Sequence, residues 1–225
     1  MHTTNVLSSI IAFMSPSDSG LSDASSSPRR NPAILVQRLT AAALPALRAH
    51  FLALGPEDVR LRFGGPLRSE AILRYLDQID FEVDAVFGVY DDALKLIAVT
   101  HVAFTDDTAE LGVSVLPGYR GKGLGTALFT RAVDHVRNRF FSRLFMHCLA
   151  ENSAMMHIAR KSGMKICVET GEAEAFLRLP PADQASVTGE FVDQRLALFD
   201  YALKSRMAAL RRATEALAPP VTGGA

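Results

Sequence analysis

Apolar and polar residues alternate in three closely spaced runs, DAVFGVY (84–90), LKLIAVTHVAF (94–104) and AELGVSV (109–115). Short Asp-rich stretches separate them, so the pattern predicts an antiparallel meander. Before it the period lengthens. Thr40 is placed to cap a helix running to about Leu54, PEDVRLRF (56–63) forms a short helix closed by glycines, and Ile72, Leu76 and Ile79 share one stripe of a third. AILVQRL (33–39) reads as the first strand. After the meander a helix is predicted from Gly123 to Asn138, with Phe129, Val133, Val136 and Phe140 spaced for one buried face. RLFMHCL is a strand, NSAMMHIARKS a helix ended by Gly163, and MKICVE and EAFLRL two closing strands. Beyond Pro180 and Pro181 a long helix is expected over Gly189–Leu217. Its stripe of Val192, Leu196, Phe199, Leu203 and Leu210 must be buried, on its own domain or across a dimer.

This order predicts an α/β (α+β) fold: a mixed, mostly antiparallel twisted sheet of about seven strands, helices on both faces, and a C-terminal helical extension. The unit around Gly123 is expected to be a parallel crossover. SPSDSGLSDASSSPRRNP (15–32) can bury almost nothing, so residues 1–32 read as a disordered Ser/Pro-rich arm, 33–180 as the folded domain and 181–225 as a helix and tail.

Composition narrows the function. Lys+Arg and Asp+Glu both number 24, and hydrophobic residues make up 48% of 225, which suits a globular domain and gives no basic footprint for nucleic acid. The apolar run Val6–Met14 is too short to span a bilayer and has no basic leader. Two distant cysteines, Cys148 and Cys167, read as free thiols in a reducing cytoplasm, and no His/Cys/Asp/Glu set has metal-ligand spacing.

The chemical signal is the stretch ELGVSVLPGYRGKGLGTALF (110–129). A strand runs into glycines at 121, 123 and 125 and then into a helix. A helix N-terminus presents unpartnered N–H groups and partial positive charge, which suits phosphate. Glycines let the backbone approach a diphosphate, Thr126 adds a hydroxyl, and Arg120 and Lys122 add charge. The spacing excludes a P-loop, because Gly123 is followed by Leu124 and Gly125, and a dinucleotide fingerprint, because Thr126 stands in the third glycine's place. A tightly packed strand–helix turn remains the other reading of these glycines.

RGKGLG resembles the R/Q-x-x-G-x-G/A turn of the GNAT family, N-acetyltransferases that use acetyl-CoA. LFMHCLAENSAMMHIARKSGMKI resembles the family's next strand–helix–strand, with Asn152 and Gly163 at the family's spacing. GPEDVRLRF is similar to a helix of bacterial protein lysine acetyltransferases. The resemblance covers roughly 33–179 and implies that the strands on either side of the helix splay apart. It implies that the backbone of Val113, Ser114 and Val115 bonds pantetheine like an added strand. It implies further that Arg120, Gly121, Lys122, Gly123, Leu124, Gly125 and Thr126 hold the pyrophosphate, and that Asn152 bonds the pantetheine arm. Asn152 is equally placed to be a plain helix N-cap.

Acetylating an amine requires removing its proton, stabilising charge on the thioester oxygen and accommodating a thiolate. Alternation puts Glu110, Gly112 and Ser114 on one strand face. Glu110 is the candidate base, with a solvated strand-end carboxylate as the alternative, and Ser114 lies nearest the expected thioester. The tyrosine that many members place seven residues after the Asn is Ala159 here; Cys148, His147, Ser114 or water are the substitutes. His101, in mid-strand, reads as a hydrogen-bonded core residue. The expected function is acetyl transfer from acetyl-CoA to a primary amine, on a protein lysine or a small molecule. A non-catalytic acyl-CoA-binding module is the alternative.

Overall fold

The alternating runs do become strands. A computed structural model describes residues 34–105 and 108–217; the expected N-terminal arm lies outside them. The sheet contains β1 (Gln37–Leu39), β2 (Ala85–Tyr90), β3 (Leu96–Phe104), β4 (Ala109–Val115), β5 (Arg143–Leu149), β6 (Lys165–Glu169) and β7 (Glu172–Arg178). Their order across it is β1-β2-β3-β4-β5-β7-β6. Every ladder is antiparallel except β4 with β5, which is parallel and holds at Ala109↔Leu144 and Glu110↔Phe145. Beyond Glu110 the two strands part, while β4 stays paired with β3 as far as Val115.

Helices cover both faces. Under one lie α4 (Leu124–Asn138) and α5 (Ser153–Lys161), whose Leu128, Phe129 and Ile158 pack with Phe87, Leu111 and Met146 of the sheet. On the other lie α1 (Leu44–Leu52), α2 (Pro56–Phe63) and α3 (Ser69–Asp77), with Leu47, Phe51, Ile72 and Leu76 against Val86 and Val99. Each such fully buried side chain contributes about 1.5–3 kcal/mol over an exposed one. Gly64, at φ +76°, ends α2 in the left-handed region, as its place in the sequence predicts.

Four expectations are corrected. The first strand starts at Gln37 rather than Ala33, and Thr40 makes no side-chain cap; a single 3-10 turn over Ala41–Ala43 leads into α1. Phe140 does not join the buried face of α4. The helix ends at Asn138, the chain turns with Phe140 at φ +66°, and the ring is 85% exposed. The last helix, α6 (Gln184–Leu217), starts five residues before Gly189, because Asp183 and Ser186 cap it reciprocally: Ser186 N–H donates to Asp183 Oδ1 (2.7 Å) and Asp183 N–H to Ser186 Oγ (3.1 Å).

The side of α6 that packs on the body of its own chain is not the apolar stripe. Val192, Leu196, Phe199, Leu203 and Leu210 all face outward and are exposed. The helix is held to the body by its other side. Ala197 is buried, Gln194 accepts from Arg38 N–H (3.1 Å), and Tyr201 packs on Tyr90 with centroids 4.9 Å apart. At the centre of this contact Glu190 takes hydrogen bonds from three α4 side chains: Arg131 (2.9 Å), His135 (2.6 Å) and Asn138 (2.6 Å). Among the described residues no helix is long and apolar enough to cross a membrane.

Candidate active site

The parting of β4 from β5 opens a cleft of about 660 Å³ lined by Val113, Ser114, Val115, the turn after β4 and the start of α5. Which backbone groups face it follows from the β3 ladder. Leu116 N–H donates to Ile97 O (3.0 Å), so Ser114 and Gly112, two and four residues back, also point their N–H and C=O at β3. Val113 and Val115 therefore point theirs into the cleft. Arg120 Nε already donates to the Val115 carbonyl (3.2 Å).

At the end of the cleft the turn reaches α4. Gly121 (φ +73°) and Gly123 (φ +81°) are both left-handed, which side chains resist. A Cβ on Gly125 would come 3.0 Å from Ile158 Cδ1, so this glycine lets α4 and α5 approach. The first helical hydrogen bond joins Ala127 N–H to Gly123 O (3.0 Å). The N–H groups of Leu124, Gly125 and Thr126 thus have no acceptor within the helix and sit at the positive end of its dipole. A linear anion in the cleft finds these donors at one end and the free edge of β4 along its length. That is the donor set required by a diphosphate joined to an amide-bearing arm, and the residues fit CoA.

Residues 59–164 match the family model described as the Acetyltransferase (GNAT) family. Over this span the chain resembles that family, and its fold is the GNAT fold. In fold it is similar to the GNAT domain of S. lividans PAT, with TM-score 0.56 and 20% identity over 64% of this chain and 89% of that one. It is similar to spermidine N-acetyltransferase from Vibrio cholerae, solved in complex with CoA and spermine, with TM-score 0.51 and 19% identity over 64% of this chain and 94% of that one. Streptothricin acetyltransferase from Streptomyces lavendulae is 28% identical over 91 residues, 40% of this chain and 48% of that protein. The chain thus spans about half the length of this curated relative.

A second cavity of about 430 Å³ opens on the α2–α3 side of this GNAT sheet, lined in part by Phe63, Tyr75, His101, Glu110, His147 and Cys148. Arg62 borders both cavities. Its guanidinium lies on Gly112 of β4, where a Cβ would come within 2.2 Å of Cζ; any side chain there would displace it. It also sits over the rings of Phe63 (5.0 Å) and Tyr75 (5.8 Å), donates to Tyr75 Oη (3.0 Å), and buries its Nε without a partner. Along one face of β4, Ser114, Gly112 with Arg62, and Glu110 lead from the cleft to the second cavity.

Each residue singled out in the sequence has a definite place. Glu110 is exposed at the second cavity. Ser114 lines the cleft, but its hydroxyl is 2.8 Å from His50 Nε2, and His50 Nδ1 lies 2.9 Å from the Leu96 carbonyl. A carbonyl can only accept, so the proton is on Nδ1 and Ser114 donates to Nε2. Burial, the dominant cause, lowers the His50 pKa to about 4, so this buried imidazole is neutral near pH 7. Asn152 serves as the cap: Oδ1 accepts from Met155 N–H (3.1 Å), and Nδ2 donates to the Leu61 carbonyl (3.2 Å), tying α5 to α2 at the cleft wall. Arg120 is ion-paired with Asp58 across the cleft mouth. Lys122 is exposed, its ammonium 5.3 Å from the ring of Tyr119. Cys148, a substitute acid, is buried, and burial raises its pKa. His50, Tyr75 and Asp84 carry no local motif and were missed; they meet their partners across 64, 26 and 17 residues of chain.

Proposed function

We propose that the chain transfers an acetyl group from acetyl-CoA to a primary alkylamine by direct attack in a ternary complex. The observation that carries this reading is the pair of cavities that share Arg62, whose guanidinium lies on Gly112. One has a diphosphate cradle, a free strand edge and Ser114; the other has Glu110, further along the same face of β4. Gly121–Thr126 hold the pyrophosphate, Val113 and Val115 bond the pantetheine amides, and Arg120 leaves the Val115 carbonyl to do so. Bound acetyl-CoA supplies the thioester. Ser114, turned towards His50, lies beside the thioester end of the cleft, and Glu110 draws the acceptor's ammonium into the second cavity. Leu124 and Thr126 shape the first turn of α4, and Lys122 adds charge at its rim.

The acceptor is a cation when free, and the acidic groups of the second cavity suit it. Glu110 and Glu172 line it, the latter 3.4 Å from His147 Nε2. A lysine side chain and a small polyamine share this chemistry. Two unpaired thiols fit a reducing compartment, the cytoplasm. The test is calorimetric titration with CoA, alongside release of free thiol from acetyl-CoA over a panel of lysine peptides, spermidine and simple alkylamines. Binding with amine-dependent thiol release is expected. Binding without release on any amine favours the acyl-CoA-binding module instead, and no binding overturns both.

A further inference from the structure

Tyr75 and His101 line the second cavity and, with Asp84 behind them, form a connected set of buried and half-buried polar groups that the binding of CoA does not use. Tyr75 Oη lies 2.7 Å from His101 Nδ1, and His101 Nε2 lies 3.0 Å from Asp84 Oδ2. The other carboxylate oxygen, Oδ1, takes the Phe104 N–H (3.3 Å). The Asp84 carboxylate only accepts, so His101 carries its proton on Nε2 and its bare Nδ1 accepts from the Tyr75 hydroxyl. The phenol proton therefore points at an imidazole that a carboxylate orients, and the phenol oxygen faces outward. There it receives a cation, the Arg62 guanidinium at 3.0 Å. His101 and Tyr75 both line the cavity, and His101 sits opposite Gly112, where β4 passes from the thioester end to the acceptor end.

We infer that Tyr75, backed by His101 and Asp84, takes the proton from the acceptor's ammonium, so that Tyr75 is a catalytic residue and His101 and Asp84 position and charge it. The inference rests on the amine-acetylation reading and deepens it. The incoming ammonium competes with Arg62 for Tyr75 Oη. One ammonium proton passes to Oη while the phenol proton passes to His101 Nδ1. The products are a neutral amine, an unchanged phenol and an imidazolium paired with Asp84. The amine lone pair then forms the C–N bond to the thioester carbon and the C–S bond breaks. The thiolate leaves with the second nitrogen proton, and His101 returns the first to solvent through Tyr75. Protonating His101 takes the His101–Asp84 pair from one negative charge to none, so the proton rests beside a carboxylate that stabilises it.

The charged and titratable groups facing His101 are Asp84 from the loop before β2, Tyr75 from α3, Arg62 from α2 and Glu110 from β4. His147 and Glu172 border the same cavity from β5 and β7. Burial outweighs the Asp84 carboxylate and lowers the His101 pKa, so the ring is free to accept near neutral pH.

The test uses the full chain with acetyl-CoA and two kinds of acceptor, reading thiol release from pH 6 to 10. One is the alkylamine from the panel that the wild type acetylates fastest; the other is an arylhydrazine, whose nitrogen is unprotonated at pH 7. Tyr75→Phe and His101→Gln are expected to lower kcat/KM for the alkylamine by roughly 10²–10³-fold at pH 7. That deficit should shrink about tenfold per pH unit as free amine replaces ammonium. For the arylhydrazine the deficit should stay within about threefold, and CoA affinity by calorimetry should be unchanged. Tyr75→Phe keeps the ring and its packing, so it remains informative if His101→Gln fails to fold. A deficit that is equal for both acceptors and independent of pH means the groups only support the fold and overturns the proposal, as does no deficit. If the wild type binds CoA but releases no thiol with any acceptor, the acetylation reading itself fails.

Discussion

Replacing Glu190 by alanine should loosen the C-terminal helix from the sheet-covering helix α4. Its carboxylate is the common acceptor for Arg131, His135 and Asn138, and the first two of these are buried. Burial alone would raise the Glu190 pKa, but hydrogen bonds from His135, Asn138 and Arg131 outweigh it and bring it from an ordinary 4.5 to about 2. That depression is worth about 3 kcal/mol, and the side chain is only 18% exposed, so screening removes little of it. Independently, removing one partner of a buried ion pair costs about 3–5 kcal/mol, here by leaving the Arg131 guanidinium without its carboxylate. The two routes agree near 3 kcal/mol, or roughly 6–12 °C in Tm for a domain of this size. Because the folded pKa is depressed, this stabilisation is complete above about 4.5 and disappears as pH falls through about 2. Urea unfolding of wild type and Glu190→Ala should therefore differ by about 3 kcal/mol at pH 7, by less at pH 3 and least at pH 2. Arg131→Met/Glu190→Met should recover most of the loss at pH 7. A difference below about 0.5 kcal/mol at pH 7, or one that does not change with pH, would refute the reasoning.

Two further outcomes are expected. Arg120→Glu should weaken CoA binding roughly ten- to a hundredfold by calorimetry, because a charge-assisted contact to phosphate becomes a repulsion; Arg120 is 49% exposed, so Tm should hardly move. Unchanged affinity with a normal melt removes Arg120 from the site. His50, with its pKa lowered to about 4, must stay neutral in the fold, so its contribution is complete above about 6.5 and is lost as pH falls towards 4. Wild type should therefore lose stability across that window, a step that His50→Gln removes; an identical pH dependence in the two proteins would contradict the burial of His50 as a neutral imidazole.

The parts of this fold that were legible in the sequence are those governed by local rules. The period of two marks β2, β3 and β4, the glycines at 121, 123 and 125 mark the turn into α4, and Asn152 marks the start of α5. Periodicity carries no information about where a helix stops, so Phe140 counted as one more buried turn of α4 although the chain reverses before it. The apolar stripe of α6 is real but lies on the outer side. The inner side is held by Glu190, Gln194 and Tyr201, whose partners belong to other elements and leave no trace in hydropathy. The Asp183–Ser186 cap is a local signal just after the two prolines, and it sets the helix start at Gln184 rather than Gly189. In the candidate site the cradle follows from neighbouring residues. The acceptor side does not, since Tyr75, His101 and Asp84 come from a helix, a strand and a loop and acquire chemistry only by meeting.

The central claim is that the backbone between Gly121 and Thr126 receives the diphosphate of CoA. Amide chemical shifts of the ¹⁵N-labelled chain during titration with CoA, and then with pantetheine, which lacks the diphosphate, test it most directly. The account predicts that the amides of Gly121–Thr126 shift with CoA and hardly move with pantetheine, while those of Val113 and Val115 move with both. Shifts confined to other parts of the chain, or the same response of residues 121–126 to both compounds, would contradict it.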